Sequence, residues 1–193
     1  MSDLISHDIR IHLVGRGATE LAIALGITGV ELESADVAIF LVSATDGIVR
    51  ADTDKWLTAR EMYIPSIVVI TDLSAENETD FEDMSAIAGK ILDPVVTPYL
   101  VLHSDDGSPV ALIDLATQEI HDYSSGVVEV RGSDPEHQAV ISEFRDEYLE
   151  QVEGAGEAAF ENGLLFPAIP WLEGKSLGVA EISRYLNLVP ASR

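Results

Sequence analysis

Residues 35–74 read ADVAIFLVSATDGIVRADTDKWLTAREMYIPSIVVITDLS, and the fold turns on this stretch. Residues 37–43, VAIFLVS, are apolar without interruption until the closing serine, the pattern of a strand buried on both faces, and Asp46-Gly47 supplies a turn after it. Asp52 or Thr53 then caps a helix that runs to about Tyr63, with Pro65 marking its exit. Ile67-Val68-Val69-Ile70 is a second buried strand. Strand, helix and strand in this order predict an α/β chain built on an open parallel sheet with right-handed crossovers and helices on both faces.

Reading outward, residues 9–14 (IRIHLV) combine alternation with β-branched content and end at Gly15, which predicts a strand entering a turn. Residues 19–27 follow as a short helix, with Thr19 as its cap and Gly29 as its end. Downstream, a helix spans about 80–91, capped at Thr79 or Asp80. The period then changes. PYLVLH (98–103) and VALIDLA (110–116), joined through Asp105-Asp106-Gly107, and a third segment at 118–123 predict a small antiparallel meander. Ser133-Asp134-Pro135-Glu136 opens a helix with Pro135 at its first position and a capping-box spacing from Ser133 to Glu136, and Val140, Phe144, Tyr148 and Val152 give it an apolar stripe. Leu164–Ile169 reads as a last strand and Gly178–Leu186 as the closing helix. The division that follows is an α/β domain of residues 1–94 and 162–193, reduced in strand number, with residues 95–161 inserted as a small α+β subdomain.

Composition bounds the function. The 193 residues include no cysteine, so disulfides, thiol nucleophiles and Cys-based zinc sites are all excluded. The opening MSDLISHDIR has neither a basic region nor an apolar core, and no apolar run approaches membrane-spanning length, so the expected location is the cytoplasm. The 34 acidic residues outnumber the 11 basic ones, for a formal net charge of −23, which repels nucleic-acid backbones and anionic membranes alike. Such a charge is explained by a solubilising surface, or by a basic partner.

The 35–74 stretch resembles the part of the elongation factor G GTPase domain that follows its second switch. In that family an apolar strand leads to a loop, a Trp-bearing helix ending in Val-Pro or Ile-Pro, and a strand that delivers the guanine-reading Asn-Lys-x-Asp. AENETDFEDMSAIAGKIL (75–92) is similar to the family's next helix, and VALIDLATQEIHDY (110–123) to the inserted subdomain that separates elongation factor G from elongation factor Tu. LLFPAIPWLEGKSLGVAEISRYLNLVP (164–190) is similar to the domain's last strand and helix. The resemblance implies a P-loop-NTPase-like fold.

Departures from the family pattern carry as much information. A phosphate loop needs Gly-x-x-x-x-Gly-Lys-[Ser/Thr], because backbone amides wrap the phosphates while the lysine and hydroxyl serve charge and magnesium. Here the matching stretch is Val14-Gly15-Arg16-Gly17-Ala18-Thr19, with no lysine and too few residues. The first helix runs almost directly into Ala35-Asp36-Val37, leaving no room for the switches and their metal motif. The guanine motif aligns with Thr71-Asp72-Leu73-Ser74, which lacks its Asn and final Asp, and the later Ser-Ala loop aligns with Leu172-Glu173. Gly15, Arg16, Gly17, Thr71, Asp72, Ser74, Leu172 and Glu173 are thus degenerate nucleotide-site positions, with no catalytic residue, metal or cofactor expected.

The remaining chemistry is sparse. His7, His12, His103, His121 and His137 lack metal-ligand spacing, and Ser43, Ser74 and Ser176 lack a nucleophile-elbow context. Trp56 and Trp171 read as core anchors, with Trp171 at the strand end where a nucleotide would stack. The expectation is a non-enzymatic pseudo-GTPase acting as a protein-interaction or regulatory module, its partner a protein linked to translation. The alternative is a small-ligand binder or enzyme that reuses the crevice at residues 15–18, 43–48, 71–75 and 170–175, or a GTP-binding protein by homology only. With the strands that flank it in the family missing, segment 9–14 becomes a sheet edge, which predicts a homodimer through that edge unless residues 3–7 or a neighbouring element cover it.

Overall fold

The computed structural model describes residues 5–191. Its first sheet is parallel and four-stranded, in the order β1-β2-β3-β8, with β1 at Ile11–Val14, β2 at Val37–Ser43, β3 at Ser66–Thr71 and β8 at Ala168–Pro170. All residues of β2 and β3 are buried, as uninterrupted apolar runs require when both faces are covered. Phe40 and Leu41 illustrate the two faces. Phe40 meets Trp56 of α2 (Arg50–Glu61) edge-on, with ring centroids 5.0 Å apart, whereas Leu41 meets the turn before α1 (Ala18–Leu25). Trp56 is fully buried, packs against Phe166 on its other side and donates its indole N–H to Asp93.

Helix boundaries depart from the sequence reading where caps were inferred. The N-cap of α1 is Gly17, left-handed at φ 90°, and not Thr19, which lies inside the helix; Gly26, not Gly29, closes it. The cap of α2 is Val49, without a side-chain bond, so Asp52 and Thr53 lie within the helix. Asp80 does cap α3 (Phe81–Ile91), accepting from the Asp83 amide at 2.8 Å.

The second sheet is antiparallel, in the order β4-β5-β6-β7, with β4 at Tyr99–His103, β5 at Pro109–Asp114, β6 at Glu119–Asp122 and β7 at Glu129–Gly132. The meander of three segments therefore gains a fourth strand, β7, whose residues are all exposed and so carry no apolar signal. Its period-2 alternation sorts side chains between two cores. Tyr99, Val101, Leu112 and Tyr123 join the core of the parallel sheet. Leu100, Leu102, Ala111 and Ile113 form a smaller cluster with Ile141 and Tyr148 of α4 (Pro135–Ala155). This corrects the predicted stripe on α4: Val140 and Phe144 are exposed and Ile141 is the buried anchor. Asp134, not Ser133, accepts from the His137 amide and starts the helix; the side chain of Glu136 lies outside the described residues.

Helix α5 (Val179–Leu186) joins the two sheets through polar side chains. Buried Glu181 accepts from the Tyr123 hydroxyl at 2.7 and 2.8 Å and lies 2.7 Å from His121 Nδ1, while Arg184 pairs with buried Asp114. The hydrogen bond to Glu181 raises the His121 pKa against the opposing effect of burial.

At the sheet edge, β1 has no strand on its outer side among the described residues, as expected. The neighbouring segment covers part of it: the Val30 amide donates to the Ile11 carbonyl at 2.9 Å, and the His12 ring lies 2.8 Å from the Val30 carbonyl oxygen. Of the predicted shield at 3–7, Asp3 and Leu4 lie outside the described residues.

Candidate functional site

Parallel strands deliver their carboxyl ends to one side of the sheet, where open α/β folds form their crevices. Here that crevice is a cleft of about 430 Å³ lined by Arg16, Gly17, Thr71, Asp72, Leu172 and Glu173, so six of the eight positions singled out from sequence converge. Glu20, Leu73 and Trp171 complete its wall. Gly15 borders an adjoining cavity of about 370 Å³ that also touches Arg16, Ser43, Asp46 and Asp52. Ser74 lines neither. Its hydroxyl accepts from the Glu76 amide at 3.2 Å and its carbonyl from Asn77, which makes it the hinge of a loop turn.

The strand-to-helix turn is shaped by packing. Gly15 has φ 109°, and a Cβ there would lie 2.2 Å from the Leu41 carbonyl oxygen; one on Gly17 would lie 3.2 Å from the Trp171 ring. Both glycines therefore let the turn press against the protein's own backbone and indole. Arg16 points to Asp46, with which it forms an exposed ion pair, and its pKa is raised by that hydrogen bond, by the Asp46 charge and then by Asp72.

Asp72 sits at φ 57°, the left-handed region, and its carbonyl accepts from the Asn77 side chain. The loop after β8 is closed by Leu172, whose amide donates to the Leu177 carbonyl at 3.1 Å, before Gly178, the N-cap of α5. A Cβ on Gly178 would meet the Pro170 carbonyl oxygen at 2.1 Å, so this glycine sets how closely α5 approaches the strand end. Trp171 is buried at 3% exposure, yet one side of its ring forms cleft wall.

Electrostatically, the cleft sets three carboxylates, Glu20, Asp72 and Glu173, against one guanidinium that already has a carboxylate partner. Among the described residues, no group of three or more His, Asp or Glu side chains is placed to hold a metal ion. No helix among them is long and apolar enough to cross a membrane.

Beyond Trp171, a second recess of about 670 Å³ continues from the cleft between α1, the turn at 124–128 and the start of α5. Sequence reasoning missed it. Ile23, Val127 and Val128 line it at 75%, 71% and 44% exposure. Ile23 comes from α1 and Val127-Val128 from the segment before β7, so only the fold brings them together.

The chain is similar to an "Elongation factor G-like protein" of Mycobacterium tuberculosis, in strains CDC 1551 / Oshkosh and H37Rv, at 27% identity over 177 residues. That alignment takes in 78% of this chain and 24% of the relative, so the chain spans about a quarter of the length of the curated relatives it matches. A crystal structure of a Thermus thermophilus protein superposes with a TM-score of 0.65 at 24% identity, covering 91% of this chain and 28% of that one. It shares the fold. No protein-family model matches the chain.

Proposed function

We propose that the chain is a nucleotide-free pseudo-GTPase of the elongation factor G type, acting as a protein-interaction or regulatory module whose partner is linked to translation. The observation that carries this reading is the charge of the cleft: Glu20, Asp72 and Glu173 stand around the position where a triphosphate would need cations. Gly15 and Gly17 of the strand-to-helix turn are committed to contacts with Leu41 and Trp171, and Arg16 is held by Asp46. These residues do not fit a nucleotide with magnesium. The relation to elongation factor G-like proteins supports a translation-linked partner by descent alone.

Calorimetric titration with GTP or GDP and magnesium tests the proposal, with no saturable heat expected. Each missing charge-assisted contact removes about 1.5–3 kcal/mol, so several together move affinity out of the micromolar range. Saturable micromolar binding would end the reading. The rival, a small-ligand binder or enzyme, is favoured by the cleft's volume of about 430 Å³, which is ligand-sized. Thermal stabilisation by a neutral or cationic metabolite in a small-molecule screen, lost in W171A, would support that rival.

A further inference from the structure

Two features of the surface meet at one place. The apolar recess of Ile23, Val127, Val128 and Val179 opens directly into the acidic cleft, and Glu20, Trp171, Leu172 and Glu173 border both. Solvent-facing valines and an isoleucine side by side are costly to leave in water unless something covers them. The neighbouring charge says what kind of group that is. Glu20, Asp72 and Glu173 are all exposed, and Arg16 is occupied by Asp46. Lys175, in the same loop, lies in the field of Asp106 and is not part of either wall.

Resting on the protein-interaction reading above, we propose that this composite groove docks a basic-aliphatic segment of a partner protein, its cationic side chain between Glu20 and Glu173 and its aliphatic residues on Ile23, Val127 and Val128. Charge complementarity selects this occupant. A nucleic acid, an anionic lipid surface or a nucleotide is repelled by the carboxylates and by the net charge of −23. A second copy of this chain, with 11 basic residues against 34 acidic, offers little to match them.

The test uses the full chain and a fluorescein-labelled peptide that pairs two arginines with a run of isoleucines, followed by fluorescence anisotropy. Saturable binding is expected. The double variant E20Q/E173Q should weaken it about tenfold, as should I23S/V127S, because each removes one half of the match. These positions are exposed, so the variants keep the fold, which circular dichroism checks. E143Q/E150Q on α4, far from the groove in sequence and equally acidic, should bind as the parent does and so separates docking from general attraction.

Equal binding by E20Q/E173Q, or by a peptide with serines replacing the isoleucines, overturns the proposal. Displacement of the peptide by spermine at equal concentration overturns it too, in favour of a free polyamine. So does a dimer in sedimentation that I23D dissolves, which would make the groove a self-interface. Failure here differs from failure of the pseudo-GTPase reading: absence of peptide binding with absence of nucleotide binding leaves that reading standing and removes only the groove, whereas saturable GTP binding removes the reading itself.

Discussion

In β2 every side chain is buried, whereas in β7 every side chain is exposed, and the two strands belong to sheets that share one body. The parallel sheet lies between helices, and every apolar residue of β2 and β3 enters one continuous core. The antiparallel sheet divides its residues by parity: one set faces that same core and the other faces α4, until at β7 all four residues are exposed. Burial therefore declines across the molecule from β2 to β7. Stability should follow the same gradient, since local opening tracks the apolar contact that opening must break.

The sharpest way to break this comparison is to truncate one anchor on each side. W56A removes a fully buried indole wedged between Phe40 and Phe166 and should cost about 4 kcal/mol, lowering the stability of the whole chain in urea unfolding. I141A, in the small cluster under α4, should cost about 2 kcal/mol. Hydrogen exchange distinguishes them: W56A should speed exchange in both sheets, I141A mainly in β5, β6 and α4. Equal, global effects from both would mean that no gradient exists.

A second cut goes through the seam. His121 stands 2.7 Å from Glu181, and that hydrogen bond raises its pKa above the ordinary 6.5. A raised folded-state pKa adds stability that is fully present below the unfolded value and is lost as pH rises through the folded one. Urea unfolding at about pH 5.5 and about pH 8.5 should therefore show a larger stability difference for the parent chain than for H121Q, with the parent losing stability at the higher pH. Subtracting the variant removes the contribution of the other histidines. An identical pH dependence in both proteins would place no coupling at the seam.

How much of this was legible in the sequence follows from the same contrast. The strands β2 and β3 were readable almost to the residue, because a run such as Val37–Val42 has no other economical use than a strand covered on both faces. The meander was readable from alternation, but β7 was not, because Glu129–Gly132 is held by backbone pairing to β6 and buries nothing. On α4 the i, i+4 spacing of Val140 and Phe144 suggested a stripe, yet the sheet meets the helix at Ile141 and Tyr148; an acidic helix with few apolar residues fits more than one face. Caps on α1 and α2 misled because a residue able to cap is common, and the backbone turn at Gly17 and Val49 decided instead.

For the site, the aligned motif positions Arg16, Gly17, Thr71, Asp72, Leu172 and Glu173 line one cleft, since strand ends of a parallel sheet must converge. Ser74 fell outside because one further residue along a turning loop is enough to leave the wall. The apolar recess was invisible. Its residues come from α1, the 124–128 turn and α5, and their meeting depends on how the two sheets dock.

The smallest effect concerns the edges, where the contrast between the sheets reverses. The edge of β7 carries Glu129 and Arg131, charges that discourage another strand from adding there. The edge of β1 is apolar, and we propose that it supports a weak homodimer. Arg10 faces β2 with its carbonyl, accepting from the Asp36 amide, so the alternate residues Ile11 and Leu13 direct their backbone groups outward. One of those groups, the Ile11 carbonyl, is already taken by the Val30 amide at 2.9 Å. V30P removes that donor and frees the carbonyl for a second chain, a change worth one backbone hydrogen bond. About 1 kcal/mol corresponds to about a fivefold shift toward dimer. Sedimentation equilibrium at tens of micromolar should show a monomer–dimer equilibrium for the parent chain and tighter association for V30P. Strictly monomeric behaviour in both would mean that Val30 and His12 are cover enough, and that an edge strand four residues long is too short to recruit a partner strand.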